Sequence, residues 1–328
     1  MKALIATNLG DIRVDDFEVP DKGKNILIKT EIASICGSDI HMAFSGWGIT
    51  NWPAAPGHPG HEAIGKVIEG NSNFDIGDLV LTVPHIWNSK CFAEIQSVDS
   101  EHLIKIDKNV YRSNIESLLM SQQLGTVLFA AKKISQIKDK TCLVIGQGSA
   151  GLFWNYVLKE FGAEKVISVD PNKNRVDLSE SFGADDIYNQ TSGECIDKIN
   201  KKYKNKIDLI IEAVGTVETI NHSINIVKDS GEIVLFGLPE TTEYIPIDFS
   251  NLFKNRIRCF TVFGAQDEKN LISFKRALDK IESQKFRKNK IDFSNILSHT
   301  FGVLDGVSAF DHAINQKNKV IKVGIDFR

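Results

Sequence analysis

Cysteine is scarce in this chain of 328 residues: there are five, at positions 36, 91, 142, 195 and 259. An odd, scattered set does not make a disulfide framework, so a reducing cytoplasm is the expected setting. Long apolar runs are also missing. None approaches the ~18 residues needed to span a bilayer. The opening MKALIATNLGDIRVDDFEVP has no extended apolar stretch after Lys2 of the kind a secretory leader carries. Charge of one sign is not in excess either: 39 Lys and Arg stand against 42 Asp and Glu, a net of −3. That balance gives no footprint for nucleic acid or for an anionic membrane surface. What is present is an ordinary globular mixture, 42% hydrophobic and 25% charged, long enough for about two domains.

The chain changes period along its length. Over the first ~120 residues, KNILIKTEIASI, EAIGKVIEG and GDLVLTV are β-branched runs between Gly and Pro turns, which predicts an all-β region. From Ser117 to Ile137 the apolar residues recur at helical spacing. Beyond Thr141, strands (TCLVIG, KVISVD, IDLIIEAVG, GEIVLFG) alternate with helical stretches, the pattern of a doubly wound parallel sheet. Leu271 to Ile281 reads as a helix. The tail from Asn295 to Phe327 reads as short strands with one helix over Leu304 to Asn315. The Lys/Asn-rich stretches at 200–206 and 285–290 read as solvated helix ends or loops.

The sharpest local signal is Gly146-Gln147-Gly148-Ser149-Ala150-Gly151. A lone G-x-G-x-x-G is weak, but this one follows an apolar strand, opens a helix, and has Asp170 closing the next strand. Gly146 permits the tight turn, Gly148 lets backbone approach a pyrophosphate, and Gly151 lets helix and strand pack closely. Ser149 and Ala150 complete the loop, and the N-terminus of the helix expected over Gly151 to Phe161 offers N–H groups to phosphate. Asp170 is suited to the ribose hydroxyls and repels a 2′-phosphate, which favours NAD over NADP; Arg175 is the nearby group that argues the other way. Val214 and Gly215, and Phe236 and Gly237, end later strands where a nicotinamide is expected.

A second constellation lies upstream. Cys36-Gly37-Ser38-Asp39-Ile40-His41 precedes Gly57-His58-Pro59-Gly60-His61-Glu62, and a thiolate with an imidazole makes a good start to a zinc site. At this point the chain resembles the zinc-dependent medium-chain dehydrogenases, the alcohol and polyol dehydrogenase superfamily. The resemblance runs over essentially the whole chain: MKALI, I-C-G-S-D-I-H, G-H-E-A-I-G, Gly77-Asp78-Leu79-Val80, Phe92-Ala93-Glu94-Ile95, the glycine loop, Phe182-Gly183-Ala184-Asp185, and Asp208 through Gly215, all in order. It implies an α/β protein with a GroES-like β-rich catalytic domain (1–123 and 266–328) and a Rossmann NAD-binding domain (124–265). It also implies that Cys36 and His61 bind a catalytic zinc. Ser38 would begin a proton relay that His41 continues, Asp39 would orient a ligand, and Glu62 would stand beside the metal.

The pattern departs from the family twice. The slot for a third ligand, usually Cys or Glu, falls on Gln122, a weak and neutral donor. Gln122 ligates, Glu62 takes the place, His58 turns in, or the metal is weak or absent; the reading adopted is Cys36 and His61 with Glu62 or Gln122. The four-cysteine lobe of many relatives is reduced to Thr82–Cys91 with one cysteine, so no structural zinc is expected. Phe44, Trp47, Trp52, His85 and Trp87 either line a substrate pocket or serve packing. The expected activity is hydride transfer between a secondary alcohol, of polyol or sugar type, and NAD, in a homodimer or homotetramer paired through the apolar edge Arg258–Phe263. The alternatives are a zinc-free NAD(P)H-dependent enone or quinone reductase and a non-catalytic NAD sensor.

Overall fold

The computed structural model describes every residue except 50, 240, 242, 285, 286, 288, 289, 317 and 318. Part of the 285–290 stretch therefore lies outside the described residues. The chain divides into two compact units, Met1–Thr126 with Gly264–Arg328, and Val127–Phe263. No helix among the described residues is long and apolar enough to cross a membrane.

In chain order, the first unit opens with β1 (Lys2–Asn8), β2 (Asp11–Asp16), β3 (Ile26–Ile35), α1 (Gly37–Ser45), β4 (Ala63–Glu69), β5 (Leu79–Thr82), β6 (Ile95–Val98), β7 (Leu103–Lys105) and α2 (Ile115–Leu119). The helix expected over 117–137 is broken at Met120, and its second part is α3 (Ser121–Ala131). Then come β8 (Thr141–Ile145), α4 (Ser149–Glu160), β9 (Lys165–Val169), α5 (Lys173–Ser179), β10 (Asp186–Tyr188), α6 (Ser192–Tyr203), β11 (Leu209–Glu212), α7 (Val217–Ile226), β12 (Glu232–Leu235), α8 (Phe249–Lys254) and β13 (Arg258–Thr261). The chain returns to the first unit with α9 (Ile272–Ser283), β14 (Leu297–Gly302), α10 (Gly306–Asn315) and β15 (Lys322–Asp326).

The fold class is α/β. The first unit holds a sheet in the order β14-β15-β3-β4-β5-β7, with β6 also on β3, and a β1-β2 ribbon. It is mostly antiparallel, because its strands are joined by turns rather than crossover helices. The second unit is a six-stranded parallel sheet, order β10-β9-β8-β11-β12-β13. Its direction reverses between β8 and β11, the switch point where such sheets bind ligands. Near-continuous apolar strands such as Thr141–Ile145 and Leu209–Glu212 are buried as a two-sided parallel sheet requires.

Arg258–Thr261 is the sixth strand, at the edge of the parallel sheet as expected, with Cys259 paired to Ile233 and half-buried. One segment differs from the reading of the sequence. The segment 186–203, passed over apart from its Lys/Asn end, holds β10 and α6. A signal was there: Thr191 and Glu194 form a reciprocal capping box, and Cys195, Ile199 and Tyr203 share one buried face at helical spacing.

Candidate functional site

β3 ends at Ile35 and hands the chain to α1 through Cys36, which caps that helix. The cap puts Asp39 on the third helical position, where its Oδ2 accepts the Cys36 N–H at 2.8 Å. The other oxygen, Oδ1, lies 2.7 Å from His61 Nδ1. Asp39 is completely buried, so the contact fixes the ring and leaves Nε2 for another partner. Ser38 Oγ is 3.4 Å from that Nε2. His41 sits three residues beyond Ser38 on α1, so the two are neighbours on one helix face.

One ligand atom each from Cys36, His61 and Glu62 lies within 4.8 Å of the others. Burial opposes a charge on His61, but the Asp39 carboxylate, with Cys36, holds its pKa well above the ordinary histidine value. Glu62 is engaged elsewhere: Lys322 Nζ is 2.7 Å from Oε2, and the Ser34 hydroxyl donates to the same oxygen. Burial alone would raise the Glu62 pKa; Lys322 and His61 bring it below the usual carboxylate value. Lys322 is itself buried, and Glu62 and Cys36 hold its pKa up against that burial. Gln122 is buried on α3 and donates from Nε2 to the His61 carbonyl at 3.4 Å. His58 bonds through Nδ1 to the Ser89 carbonyl at 3.1 Å.

The donor set fits a zinc ion: a half-buried thiol and a buried imidazole, whose far nitrogen is already held by a carboxylate, come together. Lys322 had no local signal in the sequence, since it lies on the last strand, far from the motif. Cys91 is a core residue whose thiol burial pushes up to about 12. Phe44 and Trp52 pack against the core cluster that contains Phe92 and Phe310. Trp47 and Trp87 pair at 5.1 Å between ring centroids. Trp87, His85 and His58 line a groove of about 890 Å³ whose lining does not include Cys36, Ser38 or His61.

In the second unit Gly146 has φ +91°, and a Cβ there would press on Val214 Cγ2 at 2.7 Å. A Cβ on Gly151 would collide with the Gly146 carbonyl, whereas the space around Gly148 is open. Gly148 caps α4 without a side-chain hydrogen bond, so no cap side chain competes for the first-turn N–H groups near Ser149 and Ala150. The backbones at Gly215 and Gly237 also pack too closely for any side chain. Phe236 meets Trp154 edge-to-face at 5.5 Å. Asp170 is buried at the end of β9, with Arg175 Nη1 3.9 Å from its Oδ2. This glycine cradle at the switch point fits a dinucleotide. Glu212 was not singled out from the sequence. It ends β11, and its Oε1 accepts from the Val214 and Gly215 N–H groups, each at 2.9 Å, and from Thr219 Oγ1 at 2.8 Å.

Family models match segments of both units. A family model described as alcohol dehydrogenase GroES-like domain matches residues 22–112. One described as zinc-binding dehydrogenase matches residues 150–283. The L-threonine 3-dehydrogenase of Pyrococcus furiosus is 28% identical over 76% of this chain and 78% of its own. The sorbitol dehydrogenase of Bacillus subtilis is 22% identical over 98% and 96%. The crystal structure of 2R,3R-butanediol dehydrogenase from Bacillus subtilis superposes with a TM-score of 0.82 at 21% identity, covering 100% of this chain and 99% of that one.

Proposed function

Because the chain belongs to the zinc-type medium-chain dehydrogenases, a family of oxidoreductases acting on alcohols, we propose that it transfers a hydride between a secondary alcohol and NAD. The observation that carries this reading is the meeting of Cys36, His61 and Glu62 within 4.8 Å, with Asp39 on the far side of the imidazole. Cys36 and His61, with Glu62 or Gln122, would hold a zinc ion, which would supply Lewis acidity at the carbinol oxygen, while the glycine cradle would hold NAD as hydride acceptor.

The chain's own residues do the rest. Ser38 accepts the hydroxyl proton as it gives up its own Oγ proton, which His41, three residues on along the same helix, carries outward. Asp39 holds the His61 tautomer. Lys322 keeps Glu62 ionised without leaving a bare buried charge. In the second unit, the glycine cradle and the first turn of α4 hold the pyrophosphate, Asp170 holds the ribose, and the backbones at 214–215 and 236–237 hold the nicotinamide half. Threonine at carbon 3 and butane-2,3-diol carry secondary hydroxyls, and sorbitol is a polyol, which supports a substrate of that kind. The protein assembles as a homodimer or homotetramer, for which β13 offers an open edge; a monomer by light scattering at micromolar concentration would remove that part.

Metal analysis of the purified protein together with an alcohol panel followed by NADH absorbance tests the reading. The expected result is one equivalent of zinc, lost with alcohol oxidation in Cys36→Ser. Full activity without metal returns the zinc-free reductase. Tight NAD binding with no turnover across the panel returns the sensor.

A further inference from the structure

The second position of the glycine loop is Gln147, and its side chain is wholly buried. Its Oε1 accepts from Asn155 Nδ2 at 2.7 Å and from Ser179 Oγ at 2.9 Å. Its Nε2 donates to the Val144 carbonyl at 3.2 Å. Asn155 Oδ1 in turn accepts from Ser168 Oγ at 3.1 Å. All four side chains are fully buried, so one neutral network ties the loop to α4, β9 and α5. Such a network is tolerated only when its members are satisfied, and it then fixes one geometry.

What it fixes is Asp170. The backbone N–H of the same Gln147 donates to Asp170 Oδ2 at 2.7 Å, and the Asn172 N–H donates to Oδ1 at 2.7 Å. Each carboxylate oxygen keeps a lone pair for a ribose hydroxyl. Both backbone donors hold the carboxylate in an orientation that leaves Arg175 Nη1 3.9 Å from Oδ2, beyond hydrogen-bond distance. We propose that Gln147 is a positioning residue that sets the preference for NAD over NADP. Anchored at its side chain, it keeps its own N–H on Asp170 and so keeps a fixed negative charge where a 2′-phosphate would come. This inference rests on the reading of Asp170 as the ribose-binding residue.

The test is fluorescence titration of NADH and NADPH against the full-length protein, wild type, Gln147→Leu and Ser179→Ala. In Gln147→Leu, NADH binding weakens about tenfold and NADPH binding changes less than about twofold, the tenfold step being the ~1.4 kcal/mol scale of one hydrogen bond. Ser179→Ala removes one donor from Oε1 and shifts the ratio the same way by about threefold. Equal weakening of both dinucleotides would mean a role in folding alone and overturns the proposal, as does a ratio that neither variant moves. If Gln147→Leu fails to fold, Ser179→Ala decides. A wild type that binds neither dinucleotide, or prefers NADPH, overturns the reading of Asp170 itself. A wild type that prefers NADH while the ratio stays put overturns only the role of Gln147.

Discussion

Each unit of the chain buries a polar cluster, and the two are built of different material. Around Cys36 the groups are ionisable: Asp39 against His61 and Glu62 against Lys322, both at 2.7 Å. Around Gln147 they are amides and hydroxyls. Burying an ion carries a penalty of several kcal/mol that pairing does not reliably recover, whereas a neutral hydrogen bond nets about 1 kcal/mol in favour of folding. A charged cluster is therefore a poor way to stabilise a domain and a good way to hold a cation and steer a proton. A neutral network suits a different task, the fixing of a backbone that must meet a ligand through its N–H groups.

The contrast can be broken at several points. The largest expected effect is Cys36→Ser: loss of Lewis-acid assistance worth several kcal/mol lowers kcat/KM for alcohol oxidation by on the order of a thousandfold or more, while NADH binding is retained. Next is Lys322→Met, which takes the Lys322 ion pair from the buried Glu62 and leaves it the Ser34 hydroxyl and His61. Urea denaturation should show a loss of about 3–5 kcal/mol, and the double variant Glu62→Leu/Lys322→Met should recover most of it; a single-variant loss below about 1 kcal/mol would mean the pair is solvated. Asp39→Asn keeps the shape around His61 but weakens its orienting hydrogen bond, so zinc affinity in a chelator competition should fall about 10–100-fold. The smallest effect on stability is Gly148→Ala. Its Cβ meets open space, so unfolding should move by no more than about 0.5 kcal/mol, yet NADH should bind more weakly because the methyl stands where the pyrophosphate approaches. Unchanged NADH affinity in that variant would remove Gly148 from the cofactor site.

The two clusters were not equally legible. The glycine loop occupies six consecutive residues between a strand and a helix, so its turn, its close packing at Gly151 and its strand-end position could all be read locally. Gln147 was not, because an amide at that position looks like loop polarity until Asn155 and Ser179 are seen against it. Cys36 and His61 were readable as a pair through the motifs around them. Lys322 was not, since a lysine in a short terminal strand ordinarily faces solvent, and only the pairing of β15 beside β3 carries it to Glu62. β10 escaped notice because three residues are too few to show a period.

By itself the sequence determined the β-rich first part, the strand–helix alternation of the parallel sheet, and the two motifs around Cys36 and Gly146. These follow from side-chain periodicity, glycine sterics and helix capping, which act between near neighbours in the chain. Only the tertiary structure decided which groups are charged, buried and paired: Glu62 committed to Lys322, Asp39 behind His61, Gln147 tied to three elements. Desolvation and ion pairing depend on which distant strands lie side by side, and no local window of the chain contains that information.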